Sequence, residues 1–341
     1  MPMLSAITQW AHSLFAHLRR TNDAIHAAHD LDSDADAEES EPETEFPELD
    51  HEALEFEPLS VLGAMVPAIK DWGVWAGARS LANPRRDVAF AKSIGITTIH
   101  IIVNDHSKRR AHTAFTIRDR AKIIRLANLC HANGLAVVLM SWLQPHKTTI
   151  EQAAGILIPL MGDCRARMLC FDLEEPFTCS DPCPVWGRDP YEQAGALIGK
   201  LFGGIVPLAC TGIRYAPVRK LGPVMEHCAK KYVQSYSTNT SGASPITCAT
   251  KGYRRWSRNF GPGVVSALAA YRQTGIKKNA RSDFTVREAL FAAFGGAARH
   301  GDEVALWVLD TIRFSPEIAH AIADASGRGP VISDHVTKDV T

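Results

Sequence analysis

The sequence lacks several features that would assign it to a familiar class at once. Its longest nearly apolar run, Leu201–Ile213, is shorter than the roughly 18 residues that a membrane-spanning helix needs. No G-x-G-x-x-G motif follows the first predicted strand, and no G-x-x-x-x-G-K-[ST] motif occurs. The 8 cysteines include no C-x-x-C pair. These absences argue against an integral membrane protein, a dinucleotide-binding fold and a zinc-finger type of site.

Basic residues are almost absent from the first 58 positions. That segment has 15 acidic residues and only Arg19 and Arg20, a balance of 2 − 15 = −13. Because the whole chain has 37 basic and 37 acidic residues, residues 59–341 carry a balance of 35 − 22 = +13. Half of the positions in 30–57 are Asp or Glu, which predicts a disordered acidic linker over residues 30–58.

Residues 1–29 are predicted to form an amphipathic N-terminal helix. Their apolar side chains recur at helical spacing, from Leu4 and Ile7 to Leu18. Such a helix docks either on its own domain, on a partner or on a membrane surface. The basic pair follows the apolar stretch and no small-residue cleavage site comes after it, so we expect no signal peptide and synthesis in the cytoplasm.

Eight strand-like runs alternate with helical stretches in the basic part of the chain. Their starts lie 27 to 40 residues apart, about the length of one βα unit. Eight such units fit the roughly 250 residues of a closed barrel. We therefore predict an α/β fold, a (β/α)8 TIM barrel over residues 59–328 followed by a tail, 329–341. The predicted strands are Asp71–Ala76, Thr98–Asn104, Ala136–Trp142, Met168–Glu174, Ile205–Thr211, Tyr232–Ser237, Val264–Ala270 and Val304–Leu309.

Helix start and stop signals support this alternation. Thr116 is the predicted N-cap of the helix that ends at Asn133-Gly134, where glycine favours a C-terminal cap. Pro190 predicts the first turn of another helix, and Ser315-Pro316 opens the last one in the same way.

The fourth predicted strand carries two carboxylates. Strand residues alternate between faces, so Leu169, Phe171 and Leu173 should meet the helices while Asp172 and Glu174 point into the barrel mouth. Active sites of such barrels lie at the C-terminal ends of the strands. Two neighbouring carboxylates raise each other's proton affinity, and glycosidic cleavage needs one protonated and one ionised acid. The alternative to a catalytic role is that Asp172 and Glu174 form a salt bridge with a neighbouring arginine and serve only the structure.

Aromatic and polar residues cluster at the predicted strand ends. Indole and phenol rings offer apolar faces to sugars, and amides or carboxylates fix sugar hydroxyl groups. The aromatic candidates are Trp75, Trp142, Tyr236 and Trp307, with Trp72 and Trp186 as further members of the cluster. The polar candidates for substrate binding are Asn104, Asp105, Gln144, Gln234 and Asp310.

The strand-four sequence Phe171-Asp172-Leu173-Glu174 resembles the lysozyme-type barrel of glycoside hydrolase family 25 and, more loosely, the chitinase barrel of family 18. Leu306-Trp307 is similar to the strand-eight tryptophan of both families. The resemblance implies that Glu174 is the general acid and that Asp172 steers an N-acetyl group or stabilises the transition state. Glu175 is the competing acid, because a register shift of one residue would exchange it with Glu174. The resemblance to family 25 also implies a lysozyme- or endolysin-like muramidase that cleaves peptidoglycan in the cell wall without a cofactor.

Two other function classes stay open. A barrel with a balance of +13 attracts polyanions, so a non-enzymatic polyanion-binding protein is one alternative, although no nucleic-acid-binding motif is present. A metal-dependent hydrolase is the other, because His100, His106 and His146 lie on or just after strands two and three. No H-x-H or H-E-x-x-H pattern supports it, and we expect no metal.

Overall fold

Eight parallel strands close into a barrel in sequence order, with β8 paired to β1. The computed structural model describes residues 69–104, 115–173, 190–213, 218–236, 245–270 and 286–328. The fold is a (β/α)8 barrel, as the spacing predicts. The predicted N-terminal helix, acidic linker and tail lie outside the described residues. The strands are β1 Asp71–Ala76, β2 Thr98–Ile102, β3 Ala136–Trp142, β4 Met168–Asp172, β5 Leu208–Ile213, β6 Lys230–Gln234, β7 Val264–Ala269 and β8 Glu303–Trp307.

Helices connect the strands around the outside of the barrel. They are α1 Ala78–Ala82, α2 Pro84–Ser93, α3 Arg120–Ala132, α4 Lys147–Asp163, α5 Pro190–Phe202, α6 Val218–Met225, α7 Pro245–Phe260, α8 Val286–Ala298, α9 Leu309–Ile312 and α10 Pro316–Ala325. None of these helices combines the length and the apolar character needed to cross a membrane, within the ranges described.

The start of α3 differs from the prediction. Its N-cap is Asp119 rather than Thr116, and the Asp119 carboxylate accepts a hydrogen bond from the Lys122 N–H at 3.2 Å. The Arg118 N–H donates to the Val103 carbonyl at 2.7 Å, which ties the preceding residues to the end of β2. The helix therefore cannot begin earlier. Its other end is as predicted, since Gly134 has a φ of 77°.

Two strand boundaries were also wrong. The strand predicted at Ile205–Thr211 is Leu208–Ile213, because the amides of Ile205 and Val206 bond the Phe202 carbonyl and complete the end of α5. The strand predicted at Tyr232–Ser237 is Lys230–Gln234, so Tyr236 lies beyond it.

Four further strands end earlier than predicted, and the smallest difference is in β7, which ends at Ala269 instead of Ala270. β2 ends at Ile102 and β4 at Asp172, two residues before Asn104 and Glu174. β8 ends at Trp307, since Leu309 already begins α9.

The strands separate two apolar layers. Residues such as Leu169 and Phe171 face outward and pack on the helices, where the Phe171 and Phe202 rings are 5.2 Å apart. Trp72 belongs to this outer layer and packs edge-on against Phe294, so it is not a platform at the mouth. A second, interior cluster fills the barrel and comprises Trp75, Val138, Met140, Met168, Cys170, Ala209, Tyr232, Val265, Ala267 and Ala305.

Charged residues close the N-terminal end of the barrel. Asp71, the first residue of β1, accepts hydrogen bonds from Thr97, Thr98 and Arg167 at 2.6, 2.7 and 2.7 Å. Although burial raises the pKa of Asp71, these hydrogen bonds outweigh it, and the pKa lies below its ordinary value. Lys230 pairs with Glu303 at the same end. This end of a barrel contributes to stability, whereas active sites occupy the other end.

Candidate functional site

The C-terminal mouth of the barrel is lined by one inward-facing residue from the end of each strand. Trp75 belongs to the interior cluster and Ile102 packs against it. Strand alternation assigns the other six residues, because each lies two or four positions along its strand from a member of that cluster. We call this set the mouth ring. Its members, from β1 to β8, are Trp75, Ile102, Trp142, Asp172, Ile213, Gln234, Ala269 and Trp307.

The mouth ring has a polar side formed by three consecutive strands. Asp172 on β4 is 4% exposed and pairs in register with Thr211 on β5. The Gln234 amide on β6 donates to the Thr211 hydroxyl at 3.4 Å, and that hydroxyl donates to the Tyr232 carbonyl at 2.9 Å. Asp172 and Gln234 of the mouth ring, with Thr211 of β5 between them, therefore place polar side chains on three consecutive strands, a polar arc in which Asp172 is the carboxylate among the described ring residues.

Tryptophans form the remaining wall. The Trp75 and Trp307 rings, on the neighbouring strands β1 and β8, lie 5.6 Å apart at an angle of 54°. These strands are opposite β4 and β5 in a ring of eight. Trp142 on β3 pairs in register with Asp172 and is 7% exposed. The mouth therefore presents a buried carboxylate beside one indole and across from two others, which is an arrangement suited to a sugar ring.

Asn104 supports this wall from behind. Its side-chain amide donates to the Trp142 carbonyl at 2.7 Å, and its side-chain oxygen accepts from the Trp142 N–H at 2.9 Å. Both polar groups of the side chain are thus used to hold the end of β3. These bonds position Trp142, and substrate binding by Asn104 stays a prediction. Gln144 is buried two residues further along.

The structure brings together only part of the predicted site. Glu174, Glu175 and Asp105 lie outside the described residues, as do His106 and Trp186. Asp310 lies on α9 rather than in the mouth ring, and the Ser80 hydroxyl donates to its carboxylate at 3.3 Å. Burial and the neighbouring Asp87 raise the pKa of Asp310. Tyr236 is partly buried beyond the end of β6.

An aromatic layer lies directly below the mouth ring. The His100 ring packs 4.9 Å from Trp75 and 5.1 Å from Tyr232, and it is fully buried. Neither ring nitrogen of His100 has a hydrogen-bond partner among the described residues. Burial, helped by the positive charge of Arg167, lowers the pKa of His100 to about 3. His100 is therefore a neutral component of the barrel core at physiological pH.

Two further ionisable groups of the interior are also neutral. Burial and the charge of Glu303 raise the pKa of Tyr232 well above its ordinary value, and the Tyr232 hydroxyl donates to Glu303 at 2.8 Å. Burial and the charge of Asp172 raise the pKa of the Cys170 thiol. Asp172 therefore has an uncharged neighbour below it on the same face of β4.

Metal binding finds no support in the described ranges, where no group of three or more His, Cys, Asp and Glu side chains is arranged to hold an ion. His100 is enclosed by aromatic rings, and His146 occupies the position before α4.

Two members of the site were missed at the sequence level. Thr211 pairs in register with Asp172 and accepts a hydrogen bond from Gln234, and Ile213 belongs to the mouth ring because β5 starts and ends later than predicted. The signal for Thr211 was its position at the end of an apolar strand. Ile213 had no such signal in the sequence, because it follows a glycine beyond the end of the predicted strand. In the structure it is 43% exposed.

Comparison with known proteins finds similarity at the level of the fold. No protein-family model and no curated protein sequence matches this chain. A chitinase from Rhizomucor miehei (TM-score 0.52, 11% identity) and a GH18 chitinase from Pseudoalteromonas aurantia (TM-score 0.50, 10% identity) are each similar over 75% of this chain and 100% of their own. A xylanase-A-amylase inhibitor protein is similar over 76% of this chain and 98% of its own, with a TM-score of 0.50 and 16% identity. This chain shares its barrel fold with these proteins.

Proposed function

We propose that this protein is a glycoside hydrolase that acts on an N-acetylated polysaccharide at the mouth of the barrel. The observation that carries the proposal is the position of Asp172. It is a buried, inward-facing carboxylate at the C-terminal end of β4, two residues before Glu174, and tryptophans of β1, β3 and β8 surround the same mouth. The shared barrel fold of two chitinases supports this class of reaction.

The two carboxylates have separate roles in the proposal. Glu174 donates a proton to the glycosidic oxygen while the bond from that oxygen to the sugar C1 breaks, and a water molecule then adds its oxygen to C1 and gives up a proton that restores the acid. Asp172 either orients the N-acetyl group of the substrate or stabilises the positive charge that develops at C1. The neutral Cys170 thiol below Asp172 leaves the negative charge of that carboxylate available for either role.

Peptidoglycan is the proposed substrate. The support for it is the sequence motif Phe171-Asp172-Leu173-Glu174 at and just after the end of β4. The fold comparison includes chitinases, so chitin is the competing N-acetylated polymer. It also includes an inhibitor protein, so a barrel that binds a ligand without hydrolysing it is the competing role. An experiment must therefore measure hydrolysis and binding separately.

The experiment compares the native protein with Asp172→Asn, Glu174→Gln and Glu175→Gln. Release of reducing ends from purified peptidoglycan and from chitin oligosaccharides is measured, together with binding of both polymers. Removing a general acid typically lowers the rate by about 10²–10⁴-fold, so Glu174→Gln should lose hydrolysis and retain binding. Asp302→Asn changes an exposed carboxylate before β8 and is the matched control.

Each outcome decides one part of the proposal. A loss confined to Glu175→Gln moves the acid by one residue. Hydrolysis of chitin but not peptidoglycan replaces the substrate. Binding of glycan without hydrolysis by the native protein refutes the enzymatic role.

A further inference from the structure

Helix α7 carries an exposed, entirely basic face that the mouth of the barrel does not use. The 16-residue helix contains four basic residues and no acidic residue. Lys251, Arg254, Arg255 and Arg258 are all exposed and follow one another at i, i+3, i+4 and i+7, so they share one face about 10 Å long. We call these four residues the α7 stripe.

Among the residues that the structure describes, the α7 stripe has no counter-charge. Within the described ranges, no carboxylate lies within ion-pair distance of any of its four side chains. Like charges at i and i+4 destabilise a helix by a few tenths of a kcal/mol per pair. The charges are therefore not explained by stabilisation of the helix, apart from the favourable position of Arg258 in the last turn.

His300, just beyond the end of α8, packs beside the α7 stripe. The His300 ring stacks on Tyr253 with centroids 4.3 Å apart and planes within 7°. Burial lowers the pKa of His300, and the charges of Arg254 and Arg299 lower it further. Arg254 of the α7 stripe therefore acts electrostatically on His300.

We propose that the α7 stripe binds a linear anionic glycan, in which carboxylate, sulfate or phosphate groups repeat along the chain. Three of its four residues are arginine, whose planar guanidinium group pairs with such anions through two hydrogen bonds. Binding here holds a polymer on the outside of the barrel and raises its effective concentration at the mouth. The identity of the polymer as a glycan rests on the proposed function.

The surroundings of the α7 stripe favour a glycan over single-stranded nucleic acid. Proteins that bind single strands combine cations with aromatic rings on which bases stack. The rings of α7 are used within the fold, because Trp256 is buried against Phe260 and Tyr253 stacks on His300. The stripe therefore offers charge and guanidinium hydrogen bonds as its means of recognition.

The test measures binding of the full chain to heparin, a sulfated and carboxylated glycan, with dextran as the neutral polymer. The variant Arg254→Gln/Arg255→Gln/Arg258→Gln should bind heparin at least about tenfold more weakly at low salt. The slope of log K against log salt should fall by about three, roughly one for each cation removed. Lys92→Gln/Arg125→Gln/Lys200→Gln removes the same charge from exposed sites on α2, α3 and α5 and should change binding by no more than about twofold.

A titration of His300 by NMR gives an independent measurement. Heparin at the α7 stripe should raise the pKa of His300, because the anion offsets the charge of Arg254. Arg254→Gln should raise the same pKa without heparin. An unchanged pKa on saturation with heparin contradicts the location of the site.

Three outcomes overturn the proposal. The first is equal heparin binding by the native and the stripe-variant proteins. The second is an equal loss of binding in the control variant. The third is tighter, stripe-dependent binding of duplex DNA, which makes nucleic acid the partner. Asp172→Asn changes the mouth of the barrel and leaves the α7 stripe as it is, so this variant should bind heparin at the stripe as the native protein does. Heparin binding at the α7 stripe can therefore be observed even if the proposed hydrolysis is not.

Discussion

Acid should destabilise this protein through His100 in particular. The imidazole is fully buried between Trp75 and Tyr232, and its pKa is about 3 in the folded protein against an ordinary value of 6.5. Below pH 6.5 the unfolded chain takes up a proton at this residue and the folded chain does not. The free energy of unfolding therefore falls as the pH drops from 6.5 towards 3, and this contribution is absent above 6.5.

The magnitude follows from the size of the shift. Each pH unit between the two pKa values is worth about 1.4 kcal/mol, so at about pH 5 the protein should have lost about 2 kcal/mol relative to about pH 7.5. This value depends little on the exact folded pKa, because at about pH 5 the buried imidazole remains almost entirely neutral.

The assay is denaturant unfolding at these two pH values for the native protein and for His100→Gln. Carboxylates titrate in both proteins, and the difference between their pH dependences isolates His100. The variant should lose about 2 kcal/mol less on acidification, even though its stability is lower at neutral pH. Equal losses in the two proteins would refute the reasoning. An NMR titration that shows His100 protonating near pH 6.5 in the folded protein would refute it without any variant.

Two further predictions concern packing around the site. Gly73→Ala places a Cβ atom 2.7 Å from the His100 Nε2 and should lower the free energy of unfolding by about 1–3 kcal/mol. Gly155→Ala lies in α4 with no neighbour within 4 Å and should raise the free energy of unfolding by about 0.5–1 kcal/mol. Thermal unfolding measures both, and equal effects would contradict the close packing of the barrel interior. Asn104→Ala removes the two hydrogen bonds that the Asn104 side chain makes with the N–H and carbonyl of Trp142 and should lower the free energy of unfolding by about 1–3 kcal/mol, with a change in tryptophan fluorescence; an unaltered spectrum and stability would show that the amide does not hold β3.

The sequence predicts the number of strands well because each βα unit carries its own local signals. It locates β6 less well, because Lys230 and Lys231 read as polar loop residues. In the structure Lys230 belongs to the strand and pairs with Glu303, 73 residues away in the chain. A cation on a strand is favourable only with such a partner, and the partner is set by the closure of the barrel. Local patterns therefore cannot reveal it.

Some features of the candidate site follow from the local sequence, and others depend on how the strands are staggered in the closed barrel. The inward direction of Asp172 follows from alternation with Leu169 and Phe171, which the sequence already shows. The arc from Asp172 through Thr211 to Gln234 depends on the stagger between three strands. A shift of β5 by two residues would place a different side chain beside Asp172, and this stagger is a property of the closed barrel. The hydrogen bonds from Asn104 to the backbone of Trp142 likewise depend on how β2 and β3 are aligned in the barrel.

The filled interior has a consequence for how a polymer is handled. Below the mouth ring, the described part of the barrel is occupied by His100 and Tyr232, which pack against Trp75 of the ring, and the ion pairs of Asp71 and Glu303 lie beneath them. A glycan chain therefore cannot thread along the barrel axis and leave at the far end. Whatever enters the mouth must withdraw through it or lie across it, so a long substrate has to be engaged sideways, with both of its free ends remaining in solution.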